Sequence, residues 1–135
     1  MIANSDEIYI RLKGCDKMDE NFRDELIAEG VDYYKTLERF MGREELYQKF
    51  LVKFLADENV MQLEKYLDEK NAEEAFKCAH TIKGLCGNLG FNNMLETDVP
   101  LVEKLRAGVL EGTSELFDEL KKTYDRLCGI IKKYN

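Results

Sequence analysis

Apolar residues recur every three or four positions along most of the chain, a spacing that is typical of amphipathic α-helices. No segment alternates apolar and polar residues strongly enough to predict a strand. We therefore predict an all-α fold. The predicted helices are Asp19 to Glu29, Asp32 to Met41, Arg43 to Ala56, about Val60 to Glu69, Asn71 to about Gly90, Asn93 to about Ala107, and a long helix that starts at Thr113.

Four of these segments are long enough to form an antiparallel four-helix bundle with short loops, preceded by short N-terminal helices. With 135 residues and 44% hydrophobic residues, the chain is expected to form one domain with a proper core. We assign the bundle to residues 19–135 and treat residues 1–18 as an N-terminal extension. In that extension, Ser5 is suited to cap a short helix that runs through Lys13.

Helix-capping signals refine the predicted helix starts. Asn71 stands three residues before Glu74, and Asn93 stands three residues before Glu96, which is the spacing of a capping box. Thr113 is the predicted cap of the last helix.

Charge and composition limit the function classes. The formal net charge is -7 and basic residues are not clustered, which argues against binding to nucleic acid or to an anionic membrane. No apolar run approaches the roughly 20 residues of a membrane span, and residues 1–13 lack the apolar centre of a signal peptide. The four cysteines form no C-x-x-C pair, so we expect buried, reduced thiols. We expect a cytoplasmic protein.

The most informative stretch surrounds His80, the only histidine of the chain. At 100° per residue, His80, Lys83, Gly84 and Gly87 fall on one side of a helix, and we call these four residues the His80 face. An interior glycine costs a helix roughly 1 kcal/mol relative to alanine, so two glycines one turn apart indicate a functional site.

The other side of this helix carries a continuous apolar stripe, which favours an exposed His80 face. Burial of that face would place Lys83 in the core without an evident acidic partner. Phe76, four residues before His80, falls on the exposed side as well. An aromatic residue beside a patch flattened by glycines indicates a docking surface.

The stretch His80-Thr81-Ile82-Lys83-Gly84-Leu85-Cys86-Gly87-Asn88-Leu89-Gly90 resembles the signature of the histidine-containing phosphotransfer (HPt) domains of bacterial multistep phosphorelays. Weaker similarity extends over about residues 20–133, including Leu105-Arg106-Ala107-Gly108. The resemblance implies a four-helix bundle whose exposed histidine accepts a phosphoryl group from a receiver-domain aspartyl-phosphate and passes it to another receiver. At the position of a polar residue that orients the histidine in many members, this chain has Val102.

Read in this way, His80 is the phosphorylated nucleophile, because a neutral imidazole has a free lone pair on one ring nitrogen. Lys83 is expected to neutralise charge on the phosphoryl group. Gly84 and Gly87 keep the approach open, and Phe76 and Arg106 complete the surface for partner docking. We expect no cofactor and no metal of the protein's own, with Mg²⁺ on the receiver.

The expected partners are response-regulator receiver domains and a sensor or hybrid histidine kinase, and the protein is expected to be a monomeric phosphocarrier without enzymatic turnover. A variant of this hypothesis is the phosphoryl-accepting domain of a chemotaxis-type kinase, which is less favoured because no kinase domain follows. A different class is a helical adaptor or inhibitor that binds receiver or kinase domains through the His80 face without chemistry. Two structural alternatives are glycines that allow close helix packing and a metal site formed by Cys78, His80 and Cys86.

Overall fold

The computed structural model describes residues 18–135, and within that range all regular structure is α-helical. The helices are α1 (Glu20–Glu29), α2 (Tyr33–Arg39), α3 (Glu44–Phe54), α4 (Asn59–Asp68), α5 (Ala72–Leu89), α6 (Asn92–Arg106) and α7 (Thr113–Lys133). The predicted all-α class is therefore confirmed. Ser5 to Lys13 and Cys15, for which we made predictions, lie outside the described residues.

Consecutive helices of the second half of the chain pack against each other, α4 on α5, α5 on α6, and α6 on α7. Contacts between α4 and α7 also occur, and α3 touches both α5 and α7. The short helix α4 makes a more extensive contact with α5 than the apolar helix α3 does. Helix α5, which carries His80, is thus packed on both flanks by α4 and α6.

The N-terminal helix α1 is attached to α7 by apolar and polar contacts. The ring of Phe22, which is fully buried, stacks on Tyr134 with 5.2 Å between the ring centroids. Arg126 donates to the carboxylate of Glu29 at 2.8 Å on the exposed rim of the same contact. None of the helices within residues 18–135 has the length and apolar content required to cross a membrane.

The core of α5 follows the predicted apolar stripe. The residues of α5 that are buried lie on one side of the helix and are Ala75, Cys78, Ala79, Ile82, Cys86 and Leu89. Since these residues face the packed helices, the position of the remaining side of α5 is fixed, and that side includes His80.

The start of α5 is capped as the sequence predicts, whereas the starts of α6 and α7 are not. The Oδ1 atom of Asn71 accepts a hydrogen bond from the backbone N–H of Glu74 at 3.1 Å. Helix α6 begins at Asn92, and Asn93 instead donates from its side chain to the carbonyl oxygen of Glu29 at 2.9 Å. Helix α7 follows Gly112, whose φ of +83° makes it the cap, so Thr113 is the first helical residue and the predicted Thr113 cap is wrong.

The C-terminal end of α5 is held by residues from α2, α3 and the loop before α2. Tyr47 donates its hydroxyl to the carbonyl oxygen of Leu89 at 2.7 Å, and Arg39 donates to the carbonyl oxygen of Gly87 at 2.7 Å. The N–H of Asp32 donates to the carbonyl oxygen of Gly90 at 2.8 Å. Carbonyl groups that lack helical partners are therefore satisfied, and an arginine lies at the negative end of the helix dipole.

Candidate functional site

The His80 face lies on the side of α5 that points away from the buried stripe. His80, Gly84 and Gly87 are exposed, and Lys83 is half-buried. A Cβ atom added to Gly84 or Gly87 would meet no atom within 4 Å. The two glycines are therefore not required for close helix packing, and they leave open space beside the imidazole.

A second helix contributes to the surroundings of His80 through an aromatic contact. The ring of Phe76 packs edge-on against the imidazole, with 5.6 Å between the ring centroids. The guanidinium carbon of Arg106, on α6, lies 5.0 Å from the centroid of the Phe76 ring. This cation–π contact places a positive charge on the far side of Phe76 from His80. The structure thus brings His80, Phe76 and Arg106 together, as expected from the sequence.

Val102 does not orient the imidazole by hydrogen bonding, because it is fully buried and apolar. Among the described residues, the ring contact of His80 is with Phe76. Edge-on packing of Phe76 restricts the orientation of the imidazole without a hydrogen bond. Cys78 and Cys86 are buried on the opposite side of α5 from the exposed His80, which is incompatible with a metal site shared by these three residues.

Lys83 has an acidic neighbour that the sequence analysis missed. Asp98 lies on α6, which packs against α5, and its side chain is fully buried. Neither carboxylate oxygen of Asp98 has a hydrogen-bond partner within residues 18–135. Burial raises the pKa of Asp98 to about 7, and the positive charge of Lys83 acts in the opposite direction.

The sequence does contain a signal for Asp98. Met94, Leu101, Val102 and Leu105 form the buried stripe of α6, and Asp98 lies at helical spacing from all of them. A carboxylate within such a stripe is an anomaly that indicates a buried charge. The statement that Lys83 lacks an acidic partner is therefore wrong, since Asp98 on the neighbouring helix is close enough for the two charges to interact.

A partly apolar groove borders the His80 face near the C-terminal end of α5. Its volume is about 550 Å³, and it is lined by Arg39, Phe40, Phe50, Lys53, Phe54, Asp57, Leu85, Asn88 and Leu89. Asn88 follows Gly84 by four residues and therefore lies on the same side of α5. Phe50 remains 40% exposed in this groove, which is unusual for so large an apolar side chain. Sequence periodicity assigned Phe50 to the core and did not predict the groove.

Comparison with known proteins identifies the family. No solved structure matches the chain significantly. A family model described as the Hpt domain matches residues 45–129, which is more than half of the chain. The matched range includes α5 with the complete His80 face, and also Asp98 and Arg106 on α6. The chain therefore belongs to the Hpt domain family, the histidine-containing phosphotransfer domains.

Proposed function

We propose that this protein carries a phosphoryl group on His80 and passes it between receiver domains in a His-Asp phosphorelay. Membership of the Hpt family implies phosphotransfer in such a relay and interaction with receiver domains. The observation that carries the assignment to His80 is its exposure on α5, beside a lysine and two glycines that leave the approach open.

In the transfer step, a neutral ring nitrogen of His80 attacks the phosphorus of a receiver aspartyl-phosphate. A nitrogen–phosphorus bond forms, the bond between phosphorus and the carboxylate oxygen breaks, and the receiver aspartate is released as a carboxylate. The reverse reaction on a second receiver regenerates His80. Because the group is accepted and given away unchanged, the protein acts as a phosphocarrier and not as an enzyme with its own substrate.

Catalysis of phosphoryl transfer consists mostly of positioning and charge neutralisation. Lys83 lies one turn after His80 on the same face, so its ammonium group is suited to bind an oxygen of the transferred group. Phe76 holds the imidazole ring in place, and Arg106 adds a positive charge at the edge of the surface. We assign Mg²⁺ to the receiver partner, where it neutralises the remaining charge.

The surface for the receiver consists of the His80 face, Phe76 and Arg106, with the neighbouring groove adding apolar area. We further propose that α3 to α7 form an antiparallel four-helix bundle in residues 19–135, which the succession of helix contacts supports. The buried free thiols of Cys78, Cys86 and Cys128 are suited to a reducing compartment. We propose a monomer in the cytoplasm that receives its phosphoryl group from a sensor or hybrid kinase through a receiver.

The experiment is transfer from a Mg²⁺-loaded, aspartyl-phosphorylated receiver to the protein, followed by intact mass measurement. The wild type is compared with His80→Gln, Lys83→Ala and the matched control Lys77→Ala, which removes an exposed lysine of the same helix that pairs with Glu74. We expect an acid-labile gain of one phosphoryl group in the wild type and in Lys77→Ala, and none in His80→Gln. Lys83→Ala is expected to slow transfer by about tenfold to a hundredfold, the effect of one lost charge contact.

Two results would contradict this function. Phosphate on His80→Gln would assign the modification to another residue. Absence of phosphate from several receivers, together with receiver binding that His80→Gln leaves unchanged, would identify the protein as a non-catalytic adaptor that uses the same face.

A further inference from the structure

Asp98 is a charged group at the site that the transfer step does not use. It is fully buried, both of its oxygens are without a hydrogen-bond partner in the described part of the chain, and it lies on the helix that packs against α5. A buried carboxylate without hydrogen bonds is costly, so a nearby positive charge is the main source of compensation.

Lys83 is the cation that acts on Asp98. Four lysines form ion pairs within residues 18–135, namely Lys77, Lys121, Lys122 and Lys133, and Lys83 is not among them. The ammonium group of Lys83 is half-buried on the side of α5 that also carries His80. It therefore lies under the influence of two sites, the buried carboxyl group of Asp98 and the exposed imidazole.

We propose that Asp98 is a positioning residue that holds Lys83 in the unphosphorylated protein, and that a phosphoryl group on His80 competes with Asp98 for the Lys83 ammonium. This inference rests on the proposed function. When the phosphoryl group binds Lys83, the Asp98 carboxylate loses its compensating charge and takes up a proton from solvent. Phosphorylation of His80 and protonation of Asp98 are then coupled through one lysine.

The other groups around Asp98 do not replace Lys83. On α5, the thiol of Cys86 is near enough for Asp98 to affect it, and burial together with Asp98 raises the pKa of that thiol, so it stays neutral. On α7, the thiol of Cys128 responds to burial and to Tyr124. Where α1 approaches α6, the carboxylate of Glu29 is paired with Arg126.

Protonation of Asp98 falls in the physiological pH range, because burial sets its pKa at about 7. Loss of the Lys83 charge raises that pKa further, so the phosphorylated protein binds more protons than the free protein near neutral pH. By linkage, lower pH then favours phosphorylated His80. A change of half to one unit in the pKa of Asp98 corresponds to about a threefold to tenfold change in the transfer equilibrium.

The first arm of the test is a titration of the Asp98 carboxyl carbon by nuclear magnetic resonance in the unphosphorylated protein. Lys83→Met is compared with Lys77→Met, which removes an exposed lysine of the same helix. We expect the pKa of Asp98 to rise by about half a unit or more in Lys83→Met and to stay constant in Lys77→Met. Equal values in the two variants would overturn the coupling.

The second arm uses the wild type phosphorylated by phosphoramidate, which transfers its phosphoryl group to histidine and releases ammonia. We expect the pKa of Asp98 to be higher in the phosphorylated wild type, and phosphorylation to have no further effect in Lys83→Met. The equilibrium of transfer from a receiver should also vary less between pH 6 and 8 in Asp98→Asn than in the wild type, by the threefold to tenfold factor given above.

An Asp98 pKa that phosphorylation leaves unchanged in the wild type would overturn the competition without use of any variant. Failure of the proposed function has a different signature, because His80 would then take no phosphate from phosphoramidate or from receivers. In that case the first arm would still measure the interaction of Asp98 with Lys83, and its role in a relay would be refuted.

Discussion

A carboxyl group in the core without a hydrogen-bond partner makes stability depend on pH. Burial raises the pKa of Asp98 to about 7 in the folded protein, well above the ordinary value of an aspartate in the unfolded chain. The folded state therefore binds a proton that the unfolded state releases between these two values, and stability falls as pH rises through that window.

We predict that Asp98→Asn removes this pH dependence. The free energy of unfolding of the wild type should decrease relative to Asp98→Asn by up to about 4 kcal/mol between pH 4 and pH 8. Urea denaturation of both proteins at several pH values measures this difference. A difference that does not vary with pH would mean that the folded protein does not penalise the charged form of Asp98.

Gly84 separates the needs of the helix from those of the site. Alanine or leucine at this position is better for an α-helix than glycine, and an added Cβ meets no atom within 4 Å. We predict that Gly84→Leu raises the free energy of unfolding by about 0.5–1 kcal/mol and yet slows transfer from a receiver.

The matched control for this prediction is Gly129→Leu. Gly129 lies within α7, and its Cβ would also meet no atom within 4 Å. Its substitution should give a similar gain in stability, measured by urea denaturation, without an effect on the transfer rate. Equal transfer rates for the two variants would show that the receiver does not approach over Gly84.

At the residue scale, the sequence was sufficient to find the exposed histidine but not its electrostatic surroundings. Helical spacing alone places His80, Lys83, Gly84 and Gly87 on one side of α5. The interaction between Lys83 and Asp98 depends on which helix packs against α5, and a helical repeat within one segment does not contain that information.

At the scale of elements, the C-terminal end of α5 depends on a glycine that has two separate requirements. Gly90 has a φ of +80°, and a Cβ there would collide with the Thr36 hydroxyl oxygen and lie 2.9 Å from the carbonyl oxygen of Asp32. The close approach allows α2 to hold the end of the helix that carries His80.

We predict that Gly90→Ala destabilises the protein more than Gly108→Ala does. Gly108 has a similar φ of +75°, but a Cβ there meets no atom within 4 Å. Gly108→Ala should cost about 1–2 kcal/mol for the left-handed conformation alone, and Gly90→Ala should cost a further 1–3 kcal/mol, about, for the collision. Thermal or urea denaturation measures both values, and similar losses would contradict a tight contact at Gly90.

Helix starts were predictable where the cap is local and not where a distant residue competes for it. Asn71 caps α5 as its spacing to Glu74 predicts. Asn93 has the same spacing to Glu96, but its amide is used for the carbonyl oxygen of Glu29, and α6 begins at Asn92. At the third site, the left-handed conformation of Gly112 ends the preceding turn and takes the capping position from Thr113.

At the scale of the whole molecule, α1 is joined to α7 across a contact with an apolar centre and a charged rim. We predict that Phe22→Ala lowers the free energy of unfolding by about 3–5 kcal/mol, because it leaves a cavity beside Tyr134. Arg126→Ala, which breaks the exposed pair with Glu29, should cost less than about 1 kcal/mol. Equal losses in urea denaturation would show that the ion pair, and not the aromatic packing, attaches α1.

The all-helical class of the whole molecule followed from the period of its apolar residues, whereas the partners of each helix did not. The segment from Arg43 to Ala56 has the broader apolar face, yet α4 makes the more extensive contact with α5. The exposed ring of Phe50 explains part of this difference, since it lines a groove and does not fill the core. An apolar face predicts that a helix is covered, but not by what.

The open side of α5 separates two kinds of evolutionary freedom. Lys77, Thr81 and Asn88 are exposed there, so substitutions at these positions change the surface with little cost to folding. Gene copies that share this core are therefore free to diverge in the partners they recognise. The buried side of the same helix is constrained in the opposite way, because each exchange there must be matched by a neighbour. New signalling specificities can thus arise without passing through unstable intermediates.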